Sequence, residues 1–124
     1  MDALIIKKTE TTPAIVFNPS NGVFQISKTS WPENAQEFYS PIIDWLNKYF
    51  QNKPLSETIF EFRITYMNTA SSKQIAKILS ILKKFSSTHK IKIKWLYEKG
   101  DFDMKNDAIR YSKILKINFD IIEK

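Results

Sequence analysis

Apolar and polar residues alternate along several short segments of the chain, as they do in β-strands that bury one face. The predicted strands are Leu4 to Thr9, Ala14 to Asn18, Val23 to Lys28, Ile59 to Met67, Lys90 to Tyr97 and Ile117 to Ile121. Only one face of each strand is apolar, whereas strands that are covered on both sides have continuous apolar runs. We therefore expect helices on one face of the sheet.

Three segments between these strands are predicted to be helices. The clearest runs from Ser71 to Phe85, and its apolar residues recur at the spacing of one buried helical face. A first helix should begin after Trp31, with Ser30 or Trp31 as its cap and Pro32 in its first turn. A third helix should lie near residues 103–113.

Proline 41 complicates the first helix because proline lacks a backbone N–H group and clashes with the preceding turn. We expect a kink near Tyr39 and Ser40, or a break that leaves a second short helix from Ile42 to Phe50. The expected buried stripe of this segment comprises Phe38, Ile42, Trp45, Leu46 and Tyr49. The stretch from Gln51 to Leu55, which contains Pro54, is predicted to be a loop.

The predicted order of elements is β, β, β, α, β, α, β, α, β. This order indicates an α+β fold in two layers, with a mixed sheet of about six strands and helices packed mainly on one face. The residues expected beneath the helices are Phe60, Phe62, Ile64, Tyr66, Ile91, Ile93 and Trp95. The residues expected to be exposed on the open face are Glu61, Arg63, Lys92 and Lys94.

Length and composition narrow the class of protein. A chain of 124 residues with 43% hydrophobic residues predicts one folded domain over residues 1–124. The absence of cysteine excludes disulfides, thiolate zinc sites and cysteine nucleophiles. The apolar runs are too short to span a bilayer and Met1-Asp2 opens no signal peptide, so we expect a soluble cytoplasmic protein.

Few residues suggest catalysis. His89 is the single histidine, and no partner for a catalytic dyad stands beside it in the sequence. Asp101, Asp103 and Asp107 resemble a calcium loop, but Lys105 stands where such a loop has a ligand, so Asp103 is expected to be a helix cap instead. Two glycines in the chain cannot form a glycine-rich phosphate loop. We predict a protein that is not an enzyme and holds no cofactor or metal.

A second hypothesis from the residues alone is nucleic-acid binding. The net charge is +6, and Arg63, Lys92 and Lys94 should gather on the open face of the sheet. Single-strand binders also need aromatic side chains among the basic ones. The strand aromatics are expected on the opposite, helix-covered face, so a solvated basic face is the better interpretation.

The corner between the fourth strand and the second helix is rich in hydroxyl and amide side chains. It reads Tyr66-Met67-Asn68-Thr69-Ala70-Ser71-Ser72-Lys73. Ser71 and Gln74 have the spacing of a capping box, which predicts that the helix begins near Ser71.

This corner resembles the signature of the SiaC-type regulatory phosphoproteins, a bacterial family similar to anti-sigma-factor antagonists with a STAS-like fold. Further stretches resemble the family in the same order: Thr12-Pro13, Ser30-Trp31-Pro32-Glu33-Asn34, Trp45, Trp95-Leu96-Tyr97-Glu98 and Asp101-Phe102-Asp103-Met104. The chain departs from the family at Lys28, where a glycine is usual, in a less acidic helix after Asp103, and in its basic overall charge.

The resemblance implies a partner-switching regulator that is phosphorylated on Thr69. The residues implied to contact a partner or kinase around this site are Tyr66, Asn68, Ser71, Ser72 and Lys73. The implied partners are a protein kinase, a PP2C-like phosphatase and an effector, typically a diguanylate cyclase that makes cyclic di-GMP and is stimulated by the unphosphorylated protein. We expect a monomer or weak dimer.

Overall fold

The computed structural model describes residues 1–52 and 57–124. Within these ranges the strands are β1 (Leu4–Ile6), β2 (Ala14–Asn18), β3 (Val23–Ser30), β4 (Glu57–Met67), β5 (Lys90–Tyr97) and β6 (Asp120–Glu123). The helices are α1 (Ala35–Gln51), α2 (Thr69–Phe85) and α3 (Phe102–Leu115). Their order is the predicted one. The sequence predicts a loop from Gln51 to Leu55, but Gln51 is the last residue of α1. Pro54 and Leu55 lie outside the described residues.

The six strands form one mixed sheet in the order of the chain, β1-β2-β3-β4-β5-β6. The pairs β1–β2 and β2–β3 are antiparallel, and the remaining pairs are parallel. Each parallel connection passes through one helix. Trp45 of α1 packs on Phe24, and Tyr111 of α3 packs on Trp95, with ring centroids 5.5 and 5.6 Å apart. The helices therefore share one face, as predicted from the alternation.

The core between sheet and helices is dominated by aromatic rings. Phe62 and Trp95 on neighbouring strands stack with centroids 4.7 Å apart, and α2 adds the buried side chains of Ile75, Ile78 and Leu79. The predicted core residues Phe60, Phe62, Ile64, Ile93 and Trp95 are buried, and Ile91 is half-buried. Within the described chain, no helix is both long and apolar enough to cross a membrane.

The prediction that Tyr66 is buried is wrong, because β4 contains a bulge. Lys28 pairs with Ile64, but the next residue, Thr29, pairs with Tyr66, so Thr65 is an extra residue. One extra residue inverts the alternation that follows it. Ile64 is buried, and Tyr66 is 54% exposed. At the same bulge the backbone of Lys28 has a φ of 76°, in the region that favours glycine.

The open face of the sheet is less exposed than predicted. Lys92 is exposed, but Glu61, Arg63 and Lys94 are half-buried. Glu61 accepts hydrogen bonds from Gln25 Nε2 at 2.9 Å and from Arg63 Nε at 3.1 Å. Gln25 on β3 and Arg63 on β4 thus pack on Glu61, which explains the partial burial of Glu61 and Arg63.

Helix α1 is one continuous helix, so the predicted break at Pro41 is wrong. Pro41 has no N–H group to donate to the carbonyl of Glu37. Both residues are exposed, so water can replace the missing hydrogen bond. The predicted cap is also wrong: Ser30 ends β3, and Asn34 caps the helix by accepting a hydrogen bond from Glu37 N at 3.0 Å. The buried stripe comprises Ala35, Tyr39, Ile42, Leu46, Tyr49 and Phe50, while Phe38 and Trp45 lie half-buried at its border.

Helices α2 and α3 both begin earlier than predicted. The first turn of α2 starts at Thr69, with Asn68 rather than Ser71 as its cap. Helix α3 starts at Phe102, and Asp101 rather than Asp103 caps it by accepting a hydrogen bond from Met104 N at 3.1 Å. In both cases the side chain that binds the third helical N–H group stands one residue before the helix.

Candidate functional site

Asn68 forms the corner between β4 and α2. Its backbone N–H donates to the carbonyl of Ser30 at 3.0 Å, which is the last link between β4 and the neighbouring strand. Its side-chain oxygen Oδ1 accepts from the N–H of Ser71 at 2.8 Å and so satisfies one of the free donors of the first turn. One residue therefore ends the strand pairing and begins the helix, which fixes the position of Thr69.

A buried hydrogen-bonded chain supports this corner from below. The hydroxyl of Ser30 donates to the hydroxyl of Ser71 at 2.8 Å, and its oxygen lies 2.6 Å from the hydroxyl of Tyr39 in α1. Since Ser30 has a single proton, Tyr39 must be the donor of the second bond. Burial raises the pKa of Tyr39 to about 12. The chain joins β3, α1 and α2 where α2 begins.

The hydroxyl of Ser72 is occupied on the other side of the helix. Tyr111 of α3 donates to the carbonyl of Ser72 at 2.8 Å, and the Ser72 hydroxyl bonds to the Tyr111 oxygen. Burial also raises the pKa of Tyr111, so this phenol is a stable donor near neutral pH. This pair of bonds fastens α3 to the first turn of α2.

Thr69 differs from the two serines that follow it. It is the first residue of α2 and is exposed, whereas Ser71 is fully buried and Ser72 is half-buried and bonded to Tyr111. Among the hydroxyl groups of Thr69, Ser71 and Ser72, that of Thr69 is therefore the one that another protein can reach.

Two surface depressions meet at Thr69. The larger is an open cleft of about 1280 Å³ between the beginnings of α1 and α2, and its lining includes the charged side chains of Glu33, Glu37 and Lys73. The smaller has a volume of about 270 Å³ and lies between α2 and α3, where Asp107 and Arg110 line it together with Thr69. Thr69 thus stands on a ridge with ionic groups on both sides.

The structure gives the other predicted site residues different roles. Tyr66 and Lys73 are exposed on either side of Thr69 in the sequence, and Asn68 is half-buried as the cap. Ser71 and Ser72 hold the corner in place through their hydrogen bonds.

Sequence reasoning missed four residues that shape this site, namely Ser30, Tyr39, Arg110 and Tyr111. Ser30 offered a weak signal, because it is a polar residue at the end of an apolar strand. The other three are brought to the corner by helix packing, for which the sequence carries no local signal.

The remaining candidates for chemistry have structural roles. His89 packs edge-on against the stacked rings of Phe50 and Phe85, with centroids 5.6 and 5.7 Å away, and its Nδ1 lies 2.9 Å from Thr88 Oγ1. Asp101 caps α3, and the described residues contain no group of acidic or histidine side chains that could hold a metal ion.

The open face of the sheet does not favour nucleic-acid binding. Arg63 pairs with Glu61 at 3.1 Å, and Lys92 lies 4.0 Å from Asp120. Carboxylates therefore offset these cations, while the strand aromatics such as Phe62 and Trp95 are buried on the helix-covered face. A nucleic-acid strand on this face would meet cations that are paired with carboxylates, and the buried rings of Phe62 and Trp95 could not stack with its bases.

Comparison with known proteins agrees with this architecture. The sequence profile described as SiaC family regulatory phosphoprotein matches residues 6–124. An uncharacterized protein of Pseudomonas aeruginosa (strain UCBPP-PA14) is 29% identical over 102 residues, which cover 80% of this chain and 79% of that protein. The crystal structure of apo-SiaC from Pseudomonas aeruginosa is 25% identical, covers 98% of this chain and 99% of its own, and superposes with a TM-score of 0.88.

A second solved structure contains a partner. It is the diguanylate cyclase SiaD of Pseudomonas aeruginosa in complex with its activator SiaC, whose matching chain is 24% identical with a TM-score of 0.88 and coverage of 98% of this chain and 99% of its own. That likeness describes the fold. The family profile spans nearly the whole sequence, and the chain belongs to the SiaC family of regulatory phosphoproteins.

Proposed function

We propose that this protein is a non-catalytic partner-switching regulator, formed by a single domain over residues 1–124 and acting in the cytoplasm. Its unphosphorylated form binds and stimulates an effector, a diguanylate cyclase. A protein kinase phosphorylates Thr69 and thereby releases the effector, and a PP2C-like phosphatase restores the binding form.

The exposure of Thr69 is the observation that carries this proposal. Membership of a phosphoprotein family calls for an accessible hydroxyl, and the corner has three hydroxyl side chains within four residues. Ser71 has no exposed surface, and Ser72 is held by Tyr111. A kinase can reach Thr69 without opening the fold, whereas it would have to break the buried hydrogen bonds to reach Ser71.

Modification of Thr69 should change the surface and leave the fold intact. The residue stands at the positive end of the α2 dipole, where a negative group is favourable. A phosphate adds about −1.5 to −2 charges at pH 7. If a partner buries this group without a matching cation, the cost is on the order of several kcal/mol, and each ~1.4 kcal/mol weakens binding about tenfold.

The choice of a diguanylate cyclase as effector is supported by the relative that is solved in complex with one. The exposed Tyr66 and Lys73 beside Thr69 offer an aromatic and a cationic contact for such a partner. The absence of catalysis is supported by His89, which packs against the rings of Phe50 and Phe85.

The proposal can be tested with immobilised variants of the full chain. Thr69→Ala, Thr69→Glu and unmodified protein are exposed to lysate of the native cell, and the retained proteins are identified by mass spectrometry. We expect Thr69→Ala to retain a diguanylate cyclase that Thr69→Glu does not retain. The purified cyclase should then form cyclic di-GMP faster in the presence of Thr69→Ala than in the presence of Thr69→Glu.

Ser80→Glu is the matched control, because Ser80 is exposed on the same helix and receives the same charge three turns away. It should retain the cyclase like the unmodified chain. Circular dichroism should show the same helix content for all variants. Equal retention of the cyclase by Thr69→Glu and Thr69→Ala would refute the switch.

A further inference from the structure

The two depressions beside Thr69 differ in their charge. On the α1 side, Glu33 and Glu37 oppose the single cation Lys73. On the α3 side, Asp107 and Arg110 balance each other. A group with about two negative charges on Thr69 is therefore repelled more by the α1 side than by the α3 side.

Arg110 lines the same depression as Thr69, and its guanidinium has N–H donors that Asp107 does not occupy. Its Nη2 donates to Asp107 Oδ1 at 2.7 Å, and the side chain of Arg110 remains 55% exposed. A guanidinium has five N–H donors in a rigid fork that suits phosphate oxygens. The bond to Asp107 occupies one nitrogen and orients the fork, and the other N–H groups remain able to bind a phosphate.

We propose that Arg110 binds the phosphate of phosphorylated Thr69 and links α3 to the first turn of α2. This inference rests on the proposed function for the site of phosphorylation, and it adds the residue that receives the phosphate. Arg110 stands about one turn of α3 after Asp107, with which it pairs. It directly precedes Tyr111, which bonds to Ser72 in the first turn of α2. In the phosphorylated form, the ridge at Thr69 and the surface of α3 become one closed surface.

The test uses full-length protein with phosphothreonine incorporated at position 69 during synthesis. The second pKa of a free phosphate ester is about 6, and a bound cation lowers it. Titration followed by ³¹P NMR measures this pKa in four proteins: the phosphorylated chain alone and the same chain with Arg110→Gln, Lys73→Gln or Lys113→Gln. Lys113 is the matched control, since it is an exposed cation on the same helix outside the depression.

We expect Arg110→Gln to raise the second pKa of the phosphate by roughly half a unit or more, because the ion pair that favours the dianion is lost. Lys113→Gln should leave the pKa unchanged, and Lys73→Gln should raise it less than Arg110→Gln does. No rise with Arg110→Gln overturns the proposal. A rise with Lys73→Gln that equals or exceeds the rise with Arg110→Gln also overturns it.

This test is independent of the switch itself. The phosphate is installed chemically, so the pKa reports on Arg110 whether or not a cellular kinase modifies Thr69. Failure of effector release in the binding experiment refutes the proposed function, while an unchanged phosphate pKa in Arg110→Gln refutes the assignment of Arg110 alone.

Discussion

The hydroxyl of Ser30 donates a 2.8 Å hydrogen bond to the hydroxyl of Ser71, although the two residues stand 41 positions apart in the chain. Both side chains are fully buried, and Tyr39 completes the chain of hydroxyls from α1. Buried hydroxyls are costly unless they are paired, so this contact specifies one position of α2 relative to β3. It lies directly beneath Thr69 and fixes the corner that the proposed switch uses.

Ser71→Ala should lower the free energy of unfolding by about 1 to 3 kcal/mol, because the Ser30 hydroxyl loses its acceptor in a dry environment. Urea denaturation measures this change. Ser80→Ala removes an exposed hydroxyl from the same helix and should change the stability by less than about 0.5 kcal/mol. The double variant Ser30→Ala with Ser71→Ala should cost less than the sum of the single variants. Additive costs would contradict the coupling of the two hydroxyls.

Asn68→Ala should lower stability by about 1 kcal/mol, because the N–H of Ser71 loses the Asn68 oxygen that caps α2. Asn68→Ser should retain most of the stability, since serine is also a good cap. Hydrogen exchange of the first turn of α2 provides a local measurement. It should accelerate in Asn68→Ala and remain slow in the middle of the helix, and uniform acceleration along α2 would contradict a capping role.

Lys28→Gly should raise stability by roughly 0.5 to 1 kcal/mol. The φ of 76° at Lys28 is strained for a residue with a side chain, and this strain outweighs the greater freedom of glycine in the unfolded chain. Lys92→Gly is the contrasting variant. Lys92 lies in a regular part of β5, so glycine at this position should lower the stability of the protein. Thermal unfolding of both variants gives the signs, and a loss of stability in Lys28→Gly would show that its side chain matters more than the strain.

The buried phenol of Tyr39 predicts a loss of stability at alkaline pH. Its pKa is raised to about 12 in the folded protein, above the ordinary value near 10 in the unfolded chain. The contribution of the neutral Tyr39 phenol to the free energy of unfolding is fully present below pH 10. It declines as the pH rises towards 12, by up to about 1.4 kcal/mol per pH unit. Urea denaturation between pH 9 and 11 should show a shallower decline for Tyr39→Phe, and equal declines would contradict this origin.

The pattern of the sequence predicted the layers correctly because alternation reports directly on which face of a strand is buried. Phe60, Phe62 and Trp95 lie beneath the helices as expected. The same pattern failed at Tyr66, because a bulge is set by the pairing of β3 with β4 and leaves no mark in the alternation of either strand. The bulge turns this expected core residue towards solvent.

The starts of the helices show a second limit of the sequence. Ser71 and Gln74 have the spacing of a capping box, and Asn68 and Ser71 likewise have the spacing of a cap and the backbone N–H group that donates to it. Both arrangements are locally reasonable. The contact of Ser71 with Ser30 decides between them, because it draws the Ser71 side chain into the interior and leaves Asn68 as the cap.

By itself, the sequence determined the order of the elements, the apolar face of each strand and the position of Thr69 at a strand-to-helix corner. These features follow from residues that are near one another in the chain. Only the tertiary structure decided that Ser71 is inaccessible, that Tyr111 bonds to Ser72 and that Arg110 and Thr69 line one depression. These three outcomes depend on the packing of α3 and β3 against α2, and contacts between residues that are distant in the chain have no periodic signature in the sequence.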